Sequence, residues 1–149
     1  MRMALYFEDF HAGREFDAGS RTITADDVRR FADLTGDDNP LHVDDAYART
    51  SVFGAPVAHG ALGIAMVTGL VSRAEITRAS LVALAGLTWR FRAPVHPGDT
   101  LSATLRVAER NDGGRPDRGT VVFAVTVRNQ RGETVQEGEL REVLRKRGA

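Results

Sequence analysis

Residues 35–60 read TGDDNPLHVDDAYARTSVFGAPVAHG, and the rest of the chain is arranged around them. The stretch holds two of the four histidines, an Asp-x-Asn-Pro-x-His cluster from Asp37 to His42, and the entrance to the most apolar segment of the protein. Immediately upstream, Thr24 is a capping residue with Asp27 three positions on, and Asp26 and Asp27 suit the positive end of a helix. Val28, Phe31, Ala32 and Thr35 then recur at helical spacing. Gly36 follows as the residue best able to take a left-handed C-terminal cap. Asp37 is therefore expected as the first side chain past a helix end. Pro40 biases Asn39 away from helical geometry, so residues 37–41 are expected as a tight, extended turn. His42 lies five residues beyond Asp37. In a helix that spacing splays the two side chains apart, whereas a folded-back turn can bring them to one spot. Asp44 is placed to cap a short helix through Ala46–Ala48, and residues 50–57 are irregular around Gly54 and Pro56.

Downstream, residues 60–76 predict a helix apolar nearly all round, through Ala61, Leu62, Ile64, Ala65, Met66, Val67, Leu70 and Val71. Such a helix is expected to be buried on every side. It is too short, and too interrupted by Thr and Gly, to span a bilayer. Gly63 and Gly69 each cost about 1 kcal/mol relative to Ala, a cost that makes sense where a sheet must approach the backbone closely. From Leu81 the period changes to two. Strands are expected over residues 81–91, 101–107, 121–127 and 134–144, joined by turns at 94–99 and 129–132 and a flexible loop at 111–119. Two further short strands are expected at 3–7 and 16–23. His11 reads as a solvated loop residue, and the basic tail 145–149 as a solvated end. The layout is α+β: an antiparallel sheet of hairpin-connected strands curling around a long central buried helix, in one domain over 1–149.

Composition narrows the function classes. The chain has 149 residues, enough for one core. Lys+Arg and Asp+Glu number 20 each, so no net field draws in nucleic acid or a membrane surface. Cysteine is absent, which removes disulfides and thiol chemistry. The first residues carry too short an apolar run for a secretory signal, so the expected location is cytoplasmic.

Two elements carry chemistry. Asp37 and His42 can together hold and polarise one water, since an imidazole both gives and takes a proton near neutrality. The plainer alternative is that Asp37 caps a turn and His42 packs beneath it. His59-Gly60 opens the buried helix, where the first backbone N–H groups lack partners. Glycine admits a ligand close to that backbone, and the helix end favours negative charge, so the Gly60 N–H is a candidate oxyanion donor. The alternative is a simple packing glycine. Asp37, Asp44, His42 and His59 lack the recurrent spacing of metal ligands, so no metal site is expected. A Gly-rich phosphate loop and a serine nucleophile in a recognised setting are likewise absent from the sequence. Arg90 and Arg92 lie on an expected strand, either as solvated arginines or facing an anionic ligand. Trp89 reads as core or interface, and His96, between two prolines, as an exposed turn residue.

The runs Phe31-Ala-Asp-Leu-Thr-Gly-Asp-Asp-Asn-Pro-Leu-His-Val-Asp44 and Phe53-Gly-Ala-Pro-Val-Ala-His-Gly60 resemble the hydratase signature of the MaoC-like, (R)-specific enoyl-CoA hydratases. Residues 91–99, FRAPVHPGD, resemble that family's strand and turn after the helix. The resemblance covers roughly residues 20–145. It implies a hot-dog fold, usually paired as a homodimer or a higher assembly of dimers with the site at the dimer interface. It also implies reversible hydration of a trans-2-enoyl-CoA thioester to the (R)-3-hydroxyacyl product. In that frame Asp37 and His42 are the catalytic pair, the Gly60 amide is the oxyanion donor, and Asn39 supports the turn. Asn39, His59, Arg90 and Arg92 become candidates for substrate binding, with Arg90 and Arg92 set against coenzyme A phosphates. Coenzyme A enters only as part of the substrate, and the reaction needs no metal or redox cofactor. Rival readings are a non-catalytic acyl-thioester-binding subunit, a dehydratase of acyl-carrier-protein substrates, and a hot-dog thioesterase. The intact Asp37–His42 pair argues against the first, and the absence of an acid early in the central helix against the last.

Overall fold

The computed structural model describes residues 3–149. Five strands form one antiparallel sheet: β1 (Glu15–Thr22), β2 (Leu81–Phe91), β3 (Thr100–Asn111), β4 (Arg118–Arg128) and β5 (Thr134–Arg145). Their spatial order is β1-β3-β4-β5-β2. The helices are α1 (Ala25–Thr35), α2 (Pro40–Val43), α3 (Asp45–Thr50) and α4 (Gly60–Arg73). Alternation along β3 and β4 buries Leu101, Ala103, Leu105 and Val107 beside Val121, Phe123, Val125 and Val127. Against this face α4 sets Leu62, Val67, Leu70 and Val71. The α+β layout, a sheet holding one central helix, is as the sequence indicates.

Several local expectations need correction. Residues 3–7 form no strand; the chain makes a short 3-10 turn at Phe7–Asp9, where Phe7 is buried and Phe10 packs edge-on to Phe123. The four later strands are not all hairpin-connected. β3, β4 and β5 form a meander, but β2 crosses over to pair with β5 and becomes a sheet edge. The basic tail is tied down rather than solvated throughout. Lys146 reaches Asp112 and the Arg115 carbonyl, and Arg147 reaches Asp9.

The central helix is buried on one side only. Ala61, Ala65, Thr68, Gly69 and Ser72 are exposed in the single chain. The close approach expected at its glycines holds at one of the two. A Cβ on Gly63 would stand 2.3 Å from Gln136 Nε2, whereas a Cβ on Gly69 would meet nothing within 4 Å. Edge strand β2 is exposed along most of its length, with Leu81, Leu84, Leu87 and Phe91 between 45% and 58% accessible.

Candidate active site

The turn after α1 is built as its residue types dictate. Thr24 and Asp27 form a reciprocal capping box at the start of α1. Gly36 ends it in the left-handed region at φ 78°, its N–H returning to the Ala32 carbonyl. Asp37 is then the first side chain beyond, its N–H donating to Thr35 Oγ1 at 3.2 Å. The segment that follows is non-helical through Asn39, at φ −51° and ψ 132° as expected, but is not extended beyond it. Asn39 Oδ1 accepts the Leu41 N–H at 3.0 Å and Pro40 starts a single helical turn, which reverses the chain and returns His42 toward Asp37. Asn39 thus shapes the turn, and it is not in the wall of the cleft beside Gly60.

Two backbone carbonyls fix the imidazoles. His42 Nδ1 lies 2.7 Å from the Val57 carbonyl, and His59 Nε2 lies 2.9 Å from the Asp37 carbonyl. A carbonyl only accepts, so in the neutral rings those nitrogens carry the hydrogens. The lone pairs are left on His42 Nε2 and His59 Nδ1. The rings stack with centroids 3.9 Å apart and planes 28° from parallel, and His59 also meets the Phe31 ring edge-on. His59 is 3% accessible, and its Nδ1 is buried without a partner among the described residues. Asp37 is exposed and His42 half-buried. Ligating atoms of Asp37, His42 and His59 all lie within 4.8 Å of one another.

On distance alone these three could share a metal ion. Each imidazole keeps one free nitrogen, and a carbonyl bond at the other is as compatible with metal ligation as with holding a water.

His59 is the N-cap of α4, and its carbonyl accepts the N–H groups of Leu62 and Gly63. The Gly60 N–H has no acceptor among the described residues. It borders a mainly apolar cleft of about 420 Å³ whose wall includes Leu41, Val57, Gly60, Phe91, Arg92 and Gln136. Asp37, His42 and His59 are not in that wall. Leu41 and Gly60, chain neighbours of His42 and His59, are, so the cleft adjoins the pair. Phe91 lies over Gly60, where an added Cβ would be 2.6 Å from the ring.

The remaining candidates divide. Arg92 reaches the cleft and pairs with Glu137. Arg90 lines a separate groove with Thr88 and Glu139 and does not join the cleft in the single chain. His96 is half-buried, not an exposed turn residue. Its Nδ1 holds the Pro56 carbonyl at 2.8 Å while the Ala58 N–H holds the Val95 carbonyl, and together they pin the approach to α4. Sequence reading missed Gln136, which is 2% accessible and accepts the Trp89 indole N–H at 2.9 Å. Its signal was available: counting back by twos from Leu144 and Leu140 puts it on the inward face of the last strand.

The description "MaoC like domain" fits residues 9–129. An (R)-specific enoyl-CoA hydratase of Rhodospirillum rubrum is 34% identical over 143 residues, which is 96% of this chain and 94% of that one. A solved Archaeoglobus structure, described as a monoamine oxidase regulatory protein, superposes with TM-score 0.90 at 35% identity, covering 97% of each chain. A MaoC-like dehydratase structure from Rhodospirillum rubrum gives TM-score 0.87 at 30% identity, over 97% of this chain and 99% of the other. The sheet, its gripped helix and these likenesses agree on a hot-dog fold, and the chain belongs to the MaoC-like family.

Proposed function

We propose that the protein hydrates trans-2-enoyl-CoA thioesters reversibly to (R)-3-hydroxyacyl-CoA. The observation that carries this reading is the tautomer imposed on His42 by the Val57 carbonyl. It leaves Nε2 as an acceptor near the Asp37 carboxylate, beside an unpaired helix-end amide at Gly60. A water has two hydrogens, and Asp37 and His42 Nε2 supply two acceptors for them. Held so, the water presents a lone pair to C3.

In the addition, the water oxygen bonds to C3 as the C2–C3 π electrons move toward the thioester carbonyl. Asp37 takes the proton. The enolate oxygen rests on the Gly60 N–H, a type of donor typically worth roughly 100- to 1000-fold in rate. The enolate then collapses as a proton, relayed from Asp37 with the help of His42, joins C2. One water is consumed and no proton is lost overall. The likeness to the (R)-specific hydratase of Rhodospirillum rubrum supports the substrate class and the stereochemistry.

We infer that the working unit is a homodimer formed through β2. An antiparallel edge with unpaired backbone groups and accessible Leu81, Leu84, Leu87 and Phe91 invites a second copy of itself. Two-fold pairing there would join two sheets and set the partner beside the Gly60 cleft, because Phe91 ends β2 and covers Gly60.

The test is a panel of purified enoyl-CoA thioesters, followed by loss of the conjugated double bond. Hydration with formation of the (R) product is expected. Release of free thiol would indicate a thioesterase instead, and turnover of the acyl-carrier-protein thioester alone would indicate a carrier-specific dehydratase. Binding without either reaction would refute the catalytic reading.

A further inference from the structure

The cleft beside Gly60 is mainly apolar; of its side chains only Arg92, paired with Glu137, and the buried amide of Gln136 are polar. Gln136 rises from β5 on the face toward α4 and is 2% accessible. Its orientation is fixed by chemistry. The Trp89 indole only donates, so the Gln136 oxygen faces it at 2.9 Å. The nitrogen therefore turns away from Trp89. The carboxamide lies over Gly63, where a Cβ would stand 2.3 Å from Nε2 and 2.6 Å from Oε1. Among the described residues nothing accepts the two hydrogens of that nitrogen.

A donor that the protein leaves unpaired in a mainly apolar pocket discriminates between ligands. A plain alkyl chain leaves it unpaired, and an oxygen acceptor satisfies it. Its place along the pocket follows from the helix. Gly60 and Gly63 are three residues apart, about 4.5 Å along the axis. An extended acyl chain advances somewhat over ~1 Å per bond. With the thioester oxygen on the Gly60 N–H and an acyl chain running along α4, Gln136 would stand near the fourth or fifth acyl position.

We propose that Gln136 selects short acyl thioesters bearing an acceptor oxygen at about the fifth chain position, such as an ether, hydroxyl or carbonyl. This rests on the hydratase reading for where the thioester sits, and the test separates the two. The probes are hexanoyl-CoA and 4-methoxybutanoyl-CoA, saturated thioesters of equal chain length that differ by an ether oxygen in place of C5. Their dissociation constants are measured by calorimetry on the wild type, on Gln136→Met and on Gln136→Glu. The wild type should bind the ether about tenfold more tightly. Gln136→Met, which has no donor, should lose or invert that preference. Gln136→Glu keeps an acceptor for Trp89 but puts an oxygen where Nε2 was, and at neutral pH should also lose it. The ratio of two ligands on one preparation is independent of any misfolded fraction.

Equal binding by the wild type, tighter alkyl binding, no binding of either thioester, or a preference that survives both variants would overturn the proposal. Survival of the preference would leave Gln136 only a support for Trp89. Turnover of the matching enoyl thioesters is read separately. Selective binding without hydration sinks the hydratase reading alone, and hydration without selectivity sinks this one alone.

Discussion

Gly138→Ala is the substitution whose cost the structure states most directly. Gly138 lies on β5 opposite Trp89 of β2. A Cβ there would stand 2.1 Å from the Thr88 carbonyl oxygen and 2.4 Å from Trp89 Cε3. The first of these atoms is backbone, so no rotamer change relieves it. Ordinary contact begins at 3.4 Å, so β2 must move from β5 by about 1 Å or more. That breaks the local ladder, about two hydrogen bonds at ~1 kcal/mol each, and pulls Trp89 from Gln136 for ~1 kcal/mol more. The alanine returns ~0.5–1 kcal/mol of chain entropy. The expected net loss is ~2 kcal/mol, or about 4–8 °C in melting temperature for a chain of this size. Thermal unfolding followed by circular dichroism measures it, with Gly69→Ala as the matched control because nothing lies within 4 Å of its added Cβ. A Gly138→Ala protein melting within about 2 °C of wild type would refute the reasoning about the β2–β5 contact.

Asp37→Asn and His42→Gln should each lower kcat by roughly 100-fold or more with the fold retained, since an amide can still accept a hydrogen bond from the water but cannot take or relay its proton; near-wild-type turnover in either would remove that residue from the mechanism. Glu142 is buried at 6% accessibility with Oε2 unpartnered, and burial holds its carboxyl above the usual value despite an opposing hydrogen bond from Thr77. A raised folded-state value lowers stability above it, and the deficit shrinks as pH falls through it and is gone below about 4.5. Gln at residue 142 should therefore stabilise the protein at neutral pH, with the advantage fading in acid; denaturant melts at several pH values would show a constant difference if this is wrong. Leu87→Lys on the exposed β2 edge should turn a dimer into a monomer in sedimentation while leaving the single-chain fold intact; an unchanged dimer would move the interface elsewhere.

Local rules made much of this legible. The Thr24–Asp27 capping box, the left-handed Gly36 and the Asp44 cap on α3 each depend on residues within four positions of one another. Alternation marked the later strands for the same reason. What alternation does not carry is a partner: β2 has a strand's pattern, but nothing in residues 81–91 says that it crosses to β5 rather than turning back on β3. The site divides in the same way. Asp37 and His42 are close in sequence and were readable. The stacking of His42 on His59 and the Val57 and Pro56 carbonyl anchors join residues 15 to 40 positions apart. The exposed face of α4 was misjudged because apolar composition reports what a helix tolerates, not how many neighbours reach it.

Phe91 belongs at once to the open margin of the sheet and to the lid over the bare amide at Gly60. Anything that docks along that margin handles the ring, and anything that swings the ring alters who can reach the amide. In the proposed β2 dimer, subunit assembly and access to the amide would meet at this one ring, so dilution should lower activity.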